Sequence, residues 1–281
     1  MSTEIRKYQV NGEMVWQGNI NKVNGHKLEK PVHYYVRPLN IKDAEAMGKL
    51  SETIYANLGE GQECFIHKHS KEYYNSVFKF PNVRYVGAFV GKELVGMSYI
   101  KICENNDELQ EELPNCEYDF FNRRNGTSRI ATFGADSVHP SYRGNAINTA
   151  MINYRIEQAE LLNCTDCASI VDRNNRWNMT PYFACRFNLF QTAIDPSDGG
   201  KISLLHKPMG KSTVLSNVKT RITLPFDRFE LIDAMIKRGF IGVDFDRKTA
   251  EITFAHSNYY KANAYSNNYA LICQNKYVSG M

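Results

Sequence analysis

The feature that most constrains this chain is a strand, a glycine turn and a helix that follow one another between Ala131 and Asn163. The stretch opens like a strand, breaks at His139-Pro140 into a basic turn containing Gly144, and continues with apolar residues at helical spacing. The predicted apolar face of the helix consists of Ile147, Ala150, Met151, Tyr154 and Leu161. Such a turn leaves several backbone N–H groups unpaired at the positive end of the helix dipole. We therefore expect a ligand that carries phosphate.

The turn lacks the patterns of two common phosphate sites. It contains neither the G-x-x-x-x-G-K-S/T of nucleoside triphosphate sites nor the G-x-G-x-x-G of dinucleotide sites. Its sequence VHPSYRGNAI, residues 138–147, resembles the acyl-CoA pyrophosphate loop of the GNAT superfamily of N-acetyltransferases, usually written Q/R-x-x-G-x-G/A. Gly144 and Ala146 match the second half of that pattern, whereas Ser141 stands in the Gln or Arg position.

The flanking segments resemble the same superfamily in the order of their elements. VRPLNIKDAEAMGKL, residues 36–50, resembles the opening strand and first helix, with Asp43 as the predicted N-cap. A second helix is predicted to begin at Ser70 and to end before Pro81, and residues 85–102 resemble the next hairpin. An apolar run at 167–171 predicts a parallel strand, and residues 202–207 a closing strand. The resemblance covers residues 33–208 and implies an α/β (α+β) fold: a mixed, mostly antiparallel sheet with one splayed parallel pair and flanking helices.

The chain is predicted to have three parts. Residues 1–30 form an N-terminal β-hairpin extension, because Asn11-Gly12 and Asn24-Gly25 are strong hairpin turns. Residues 31–208 form the acetyltransferase-like domain. Residues 209–281 form a small α+β extension of order β-α-β-β, whose helix begins with Asp227 and Glu230 as a capping box and ends at Gly239. A degenerate second half, a lid on the acceptor cleft and a homodimer surface remain open as roles for this extension.

A second motif follows the parallel strand. NNRWNMTPYFACRF, residues 174–187, is similar to the superfamily stretch N-x6-Y-x3-G-F, in which the Asn contacts CoA and the Tyr is often the general acid. Asn175, Tyr182 and Phe187 match this stretch, and Arg186 replaces the Gly. The resemblance therefore implies that Asn175 binds the cofactor and that Tyr182 protonates the leaving thiolate.

The resemblance also implies where the rest of acetyl-CoA binds. The backbone of Ser137 and Val138 should meet the pantetheine and stabilise the thioester carbonyl oxygen. The pyrophosphate should be bound by a set of amides, with one side-chain hydroxyl added in the first turn of the helix. These residues are Arg143, Gly144, Asn145 and Ala146 for the amides and Thr149 for the hydroxyl. No metal is expected, because Cys164-x-x-Cys167 lacks two further ligands at zinc spacing.

The general base departs from the superfamily pattern. The superfamily often has a Glu on this strand six residues before Val138, where this chain has Thr132. By two-residue alternation, Asp136 lies on the same face as Thr132 and Val138, so we expect Asp136 to act as the base. Two alternatives remain open: a carboxylate satisfied by a neighbouring backbone N–H, and an ordered water relay.

Together these features predict transfer of an acetyl group from acetyl-CoA to a primary amine by direct attack. The acceptor is a small amine, a peptide N-terminus or a lysine. Residues 104–119 are acidic and contain no Lys or Arg, so they form either a solvated face or a surface that draws in a cationic acceptor. The alternative function is a catalytically degenerate acyl-CoA-binding regulatory module, because Thr132, Ser141 and Arg186 depart from the superfamily pattern.

Composition argues against several other classes of protein. The net charge is only +4 and no stripe of Lys and Arg accompanies it, so no nucleic acid partner is expected. No apolar run reaches the roughly 18 residues of a membrane helix, so no membrane partner is expected either. Seven scattered cysteines, an odd number, do not resemble a secreted disulfide framework. We therefore expect a cytoplasmic protein, and secretion as an effector without an N-terminal signal remains open.

Overall fold

The computed structural model of the 281-residue chain describes residues 5–10, 13–62, 68–113, 129–195, 199–209 and 221–256. The strands in these ranges are β1 (Arg6–Val10), β2 (Glu13–Val23), β3 (His26–Pro38), β4 (Val83–Val90), β5 (Glu93–Cys103), β6 (Ile130–Val138), β7 (Asp166–Asp172), β8 (Asn188–Ile194), β9 (Lys201–Pro208), β10 (Ile222–Pro225), β11 (Phe240–Asp246) and β12 (Glu251–His256). The α-helices are α1 (Ala44–Tyr55), α2 (Lys71–Val77), α3 (Asn106–Glu112), α4 (Ile147–Leu161), α5 (Arg176–Ala184) and α6 (Phe229–Lys237).

These strands form one sheet in the order β1-β2-β3-β4-β5-β6-β7-β9-β8-β11-β12-β10. Strands β6 and β7 are parallel, and the other neighbouring pairs in the described ranges are antiparallel. The structure is therefore the mixed, mostly antiparallel sheet with one parallel pair that the sequence predicts, and the fold class is confirmed.

Helices cover both faces of the sheet. On one face, α4 and α5 pack with strand residues such as Ile102 and Phe133, and α6 joins the same core. On the other face, α1 and α2 form one cluster, and α3 packs near Cys103 and Ile130 in another. Because adjacent strand residues point to opposite faces, the central strands are buried on both sides.

The two predicted extensions continue this sheet at its opposite ends. Strands β1 and β2 lie beside β3, and β11, β12 and β10 lie beyond β8. The predicted boundary between residues 30 and 31 falls inside β3, and the division into three parts stays a prediction. At the β2–β3 turn, Asn24 and Gly25 have φ of 50° and 80°, which is the hairpin turn that the sequence predicts. Asn11-Gly12 lies outside the described residues.

The residues at several helix ends are those that the sequence predicts. Ser70 caps α2 by accepting a hydrogen bond from the N–H of Tyr73, and Gly239 follows α6 with φ of 84°. Asp43 is the N-cap residue of α1, as the sequence predicts, but its carboxylate accepts no hydrogen bond from the first turn of the helix and instead pairs with Arg37 at 2.7 Å.

Two expectations for the helices are wrong. The N-cap of α6 is Arg228, not Asp227, and the carboxylate of Glu230 binds Lys201 at 2.8 Å instead of forming a capping box. Leu161 belongs to the predicted apolar face of α4 but is 74% exposed. It is the last residue of the helix.

Candidate active site

Strand β6 contains a bulge in its second half. Tyr99 of β5 pairs with Gly134, and the next pair is Met97 with Ser137, so two residues of β6 oppose one residue of β5. Ala135 has φ of 52°, a left-handed conformation that is uncommon for a residue with a Cβ. One extra residue in a strand reverses which face each later side chain points to.

The bulge corrects one prediction about Asp136. Thr132 precedes the bulge, and its hydroxyl donates to the carbonyl oxygen of Lys101 at 3.2 Å. Its hydroxyl also lies 3.9 Å from Cys103, which belongs to the core beneath α3. Asp136 lies within the bulge and contacts α4 and α5 on the opposite face. The expectation that Asp136 and Thr132 share a face is therefore wrong, because two-residue alternation holds only in an unbroken strand.

The parallel pair separates partway along its length. The register of β6 with β7 runs from Ile130 opposite Asp166 to Phe133 opposite Ser169. Beyond these pairs, β6 continues to Val138 and β7 to Asp172 without pairing to each other. We call the position of Phe133 and Ser169 the vertex. Past the vertex, the β7-facing edge of Ser137 and Val138 has no strand partner in the described ranges, and the carbonyl oxygen of Val138 accepts from Arg143 Nε at 3.2 Å.

A buried polar cluster lies at the vertex. The Tyr182 hydroxyl donates to Asp136 Oδ2 at 2.6 Å, and Arg155 Nη2 donates to Asp136 Oδ1 at 2.5 Å. Ser169 Oγ lies 2.8 Å from the Tyr182 hydroxyl and 2.9 Å from the carbonyl oxygen of Phe133. Because Ser169 and Phe133 are the last paired residues, the phenol hydroxyl sits where the two strands separate.

Burial and neighbouring charges together set the charge states of Tyr182 and Arg155. Arg155 and Tyr182 are fully buried. Burial, and secondarily the negative charge of Asp136, raises the pKa of Tyr182 well above its ordinary value. Burial is the largest influence on the pKa of Arg155 and would lower it, but the charges and hydrogen bonds of Asp136 and Tyr182 together outweigh burial, and the pKa is raised. The phenol therefore stays protonated and the guanidinium stays charged at neutral pH.

The contacts of Asp136 favour a positioning role over that of a free base. One carboxylate oxygen is bound by a buried guanidinium, and the other accepts from Tyr182 and, at 3.4 Å, from Asn178. An acceptor amine would have to displace one of these donors to reach it. The role of Asp136 as base stays a prediction.

The sequence analysis did not identify Arg155, Asn178 or Asn148 as site residues. Asn148 Nδ2 donates to Asn178 Oδ1 at 2.7 Å, so the two asparagines link α4 to α5 beside Asp136. Arg155 lies one turn after Met151 and one turn before Ala159 on a buried helix face. A charged residue at such a position is the signal by which the sequence could have identified it as a site residue. Asn148 Oδ1 and Ser137 Oγ are buried and have no hydrogen-bond partner within the described ranges.

The turn after β6 has the properties of an anion site. We call residues 143–146 the glycine loop. Gly144 and Ala146 have φ of 79° and 58°, and Ala146 directly precedes α4. Within the described part of the chain, the N–H groups of Gly144, Asn145 and Ala146 donate no backbone hydrogen bond. The first turn of α4 adds the unpaired amides of residues 147–149, which include that of Thr149.

The remaining predicted cofactor residues have different surroundings. Arg143 is exposed, and its Nε donates to the carbonyl oxygen of Val138 at 3.2 Å. The Asn145 side chain is buried and binds strand β2, so only its backbone is available to a ligand. Thr149 is half-buried. Asn175 precedes α5, and its side chain caps no N–H of that helix.

Three of the five acidic residues that the structure describes in this segment form ion pairs within the chain. Lys101 Nζ lies 2.8 Å from Glu111 and 3.1 Å from Glu112, and Arg129 pairs with Glu104 at 2.7 Å. Residues 114–119 lie outside the described ranges. The described contacts favour the solvated-face interpretation of this segment over recruitment of a cationic acceptor.

Other observations concern cofactors and membranes. Cys164 and Cys167 are buried thiols, and burial raises the pKa of Cys164 to about 11. Across the described ranges, no three His, Cys, Asp or Glu side chains are grouped so that they could hold a metal ion. None of the helices in these ranges combines the length and apolar character needed to cross a bilayer.

Similar solved structures are acetyltransferases. Arabidopsis thaliana NAA60 in complex with a bisubstrate analogue is 17% identical, with a TM-score of 0.49 over 64% of this chain and 99% of that chain. The probable acetyltransferase of Staphylococcus epidermidis is 16% identical, with a TM-score of 0.46 over 63% and 99%. The PaiA N-acetyltransferase of Thermoplasma acidophilum, in complex with coenzyme A, is 18% identical, with a TM-score of 0.44 over 62% and 98%. No family model and no curated protein sequence matches the chain. The fold assignment rests on the chain's own sheet order and parallel pair.

Proposed function

We propose that this protein is an N-acetyltransferase of the GNAT superfamily that transfers the acetyl group of acetyl-CoA to a primary amine. The acceptor is a small amine, a peptide N-terminus or a lysine. The observation that carries the proposal is the separation of β6 from β7 beyond Phe133 and Ser169, next to the unpaired amides of the glycine loop. This arrangement offers an extended edge for an amide-containing chain and, beside it, an anion site for a pyrophosphate.

The proposed cofactor geometry uses both features. The pantetheine lies between the separated strands and pairs with the backbone of Ser137 and Val138. The amides of the glycine loop and of Thr149 bind the pyrophosphate, and Asn175 contacts the cofactor from the start of α5. Binding in this manner holds the thioester in line for attack, which removes much of the entropic barrier to a bimolecular reaction.

The proposed reaction is a direct attack. The neutral amine nitrogen forms a bond to the thioester carbonyl carbon, and the tetrahedral oxyanion is stabilised by a backbone N–H of β6. The C–S bond then breaks, and the electron pair leaves with the sulfur of CoA. The amine loses its proton to water, and the thiolate gains one.

Tyr182 is the proposed donor to the thiolate. The thiolate of a thiol with a pKa of about 8.5 is a weaker base than the phenolate of Tyr182, because the pKa of the Tyr182 phenol is raised above 10. Complete proton transfer from Tyr182 to the thiolate is therefore uphill. We therefore propose that the hydroxyl lowers the barrier by hydrogen bonding to the sulfur as charge develops, and that water completes the protonation. The phenol has a single proton, so this step requires its O–H to turn from Asp136 to the sulfur. Arg155 holds the carboxylate of Asp136 beside the phenol.

A panel of amines tests the proposal. The protein is incubated with acetyl-CoA and one amine at a time, free thiol is measured, and mass spectrometry identifies any product that is 42 Da heavier, the mass of an added acetyl group. Amine-dependent thiol release with a matching product is the expected result. Failure to bind CoA in a calorimetric titration of folded protein would refute the proposal at its first step.

A second candidate is a non-catalytic acyl-CoA-binding regulatory module. The observation that favours it is the complete burial of Tyr182, whose hydroxyl already donates to Asp136. This candidate predicts that the protein binds CoA but releases no thiol above the rate without protein for any amine in the panel.

A further inference from the structure

Lys22 of the β2–β3 hairpin lies beside the glycine loop, although more than 120 residues separate them in the sequence. A Cβ atom built on Gly144 would lie 2.5 Å from Nζ and 2.6 Å from Cε of Lys22. The ammonium group of Lys22 therefore occupies the space directly above the Cα of Gly144. It reaches the loop whose amides are unpaired.

The position of Lys22 is held by the loop itself. Asn145 Oδ1 accepts from the N–H of Asn21 at 2.9 Å and of Lys22 at 3.2 Å. Asn145 Nδ2 donates to the carbonyl oxygen of Lys22 at 2.8 Å, and the N–H of Asn24 donates to the carbonyl oxygen of Ser141, also at 2.8 Å. The Asn145 side chain thus binds both the N–H and the carbonyl oxygen of Lys22. The lysine is therefore held against the loop before any ligand binds.

The charge of Lys22 has no acidic partner among the residues that the structure describes. Lys22 and Lys27 are directly opposite in the β2–β3 register, so their side chains leave the same face of the hairpin. Like charges in such a pair repel each other. Neither lysine forms an ion pair with any residue in the described ranges, and exposed Arg143 adds a third positive charge nearby. An anion bound between them would relieve this repulsion.

We infer that the β2–β3 hairpin forms one wall of the phosphate-binding site, with Lys22 binding the pyrophosphate of CoA and Lys27 binding a second phosphate group of the same ligand. This inference rests on the proposed function, because it names further residues of the proposed cofactor site. The backbone amides orient the phosphate oxygens by hydrogen bonding, and the lysines supply the net positive charge that the amides lack.

The test compares ligands with and without phosphate groups. Affinity for CoA is measured by calorimetric titration for the wild type, Lys22→Gln, Lys27→Gln and Lys22→Arg, at two salt concentrations. Affinity for S-acetylpantetheine, which has no phosphate, is measured for the same proteins. We expect Lys22→Gln to weaken CoA binding about tenfold, equivalent to about 1.4 kcal/mol. Lys27→Gln should weaken it two- to threefold, because that side chain is exposed.

Several controls separate this inference from the proposed function. Lys22→Arg keeps the charge and should bind CoA within about threefold of the wild type. Lys30→Gln removes an exposed lysine from the same strand and should leave the affinity unchanged. S-acetylpantetheine should bind every variant equally. Wild-type affinity for CoA in Lys22→Gln would overturn the inference and leave the proposed function standing. Absence of CoA binding in the wild type would overturn both.

Discussion

Replacing Tyr182 by Phe removes one hydroxyl from the vertex and keeps the ring in the core. In the wild type, this hydroxyl donates to the charged carboxylate of Asp136 at 2.6 Å and has no contact with solvent. Its loss leaves that oxygen with only the long contact from Asn178, at 3.4 Å. A buried hydrogen bond to a charged group contributes about 1.5–3 kcal/mol, so we expect the free energy of unfolding to fall by that amount.

The same substitution tests the proposed role of the hydroxyl. If it stabilises the leaving thiolate, kcat should fall about 10²-fold, and the affinity for CoA should stay near the wild-type value. Steady-state rates at saturating acetyl-CoA, urea unfolding and CoA titration on one preparation measure all three quantities.

Tyr74→Phe is the matched control, because Tyr74 is also a buried tyrosine but belongs to α2, in the cluster on the other face of the sheet. Its kcat should equal that of the wild type. If Tyr182→Phe loses stability but keeps wild-type kcat, the hydroxyl is a structural group and the reasoning about the vertex is wrong.

Three further predictions concern the rest of the site. Gly144→Glu should weaken CoA binding at least about 10²-fold, because it places bulk and negative charge in the anion site at a φ of 79°; titration of the folded variant with unchanged affinity would contradict this. Changing Glu108, Glu111 and Glu112 together to Gln should leave the KM of a cationic amine unchanged at low ionic strength, since the latter two already pair with Lys101; a raised KM would instead support recruitment of the acceptor. Arg155→Met should lower the free energy of unfolding by about 3–5 kcal/mol in a urea titration, because it leaves the carboxylate partner buried without a countercharge; a loss below about 1 kcal/mol would refute the ion pair's structural role.

Local backbone preferences explain what could be predicted from the sequence. The hairpin turn at Asn24 and the glycine after α6 each depend on one or two residues and their neighbours. The order of the strands and helices between residues 33 and 208 can also be predicted locally, because each element is a short segment with the periodicity of a strand or a helix. Arg186 has φ of 64° at the position where the superfamily pattern has Gly, so the backbone there keeps the conformation that the pattern implies.

The tertiary structure decided the features that depend on residues far apart in the chain. The bulge at Ala135 reverses the face of Asp136, and no alternation pattern within β6 reveals it, because the bulge is defined by the register with β5. Arg155 finds its carboxylate 19 positions away, and Tyr182 reaches the same carboxylate from 46 positions away. Lys22 meets the glycine loop across more than 120 residues, through hydrogen bonds of Asn145 to β2. Short-range preferences are set by each residue's own backbone and side chain, whereas these contacts exist only once the sheet has brought its strands into register.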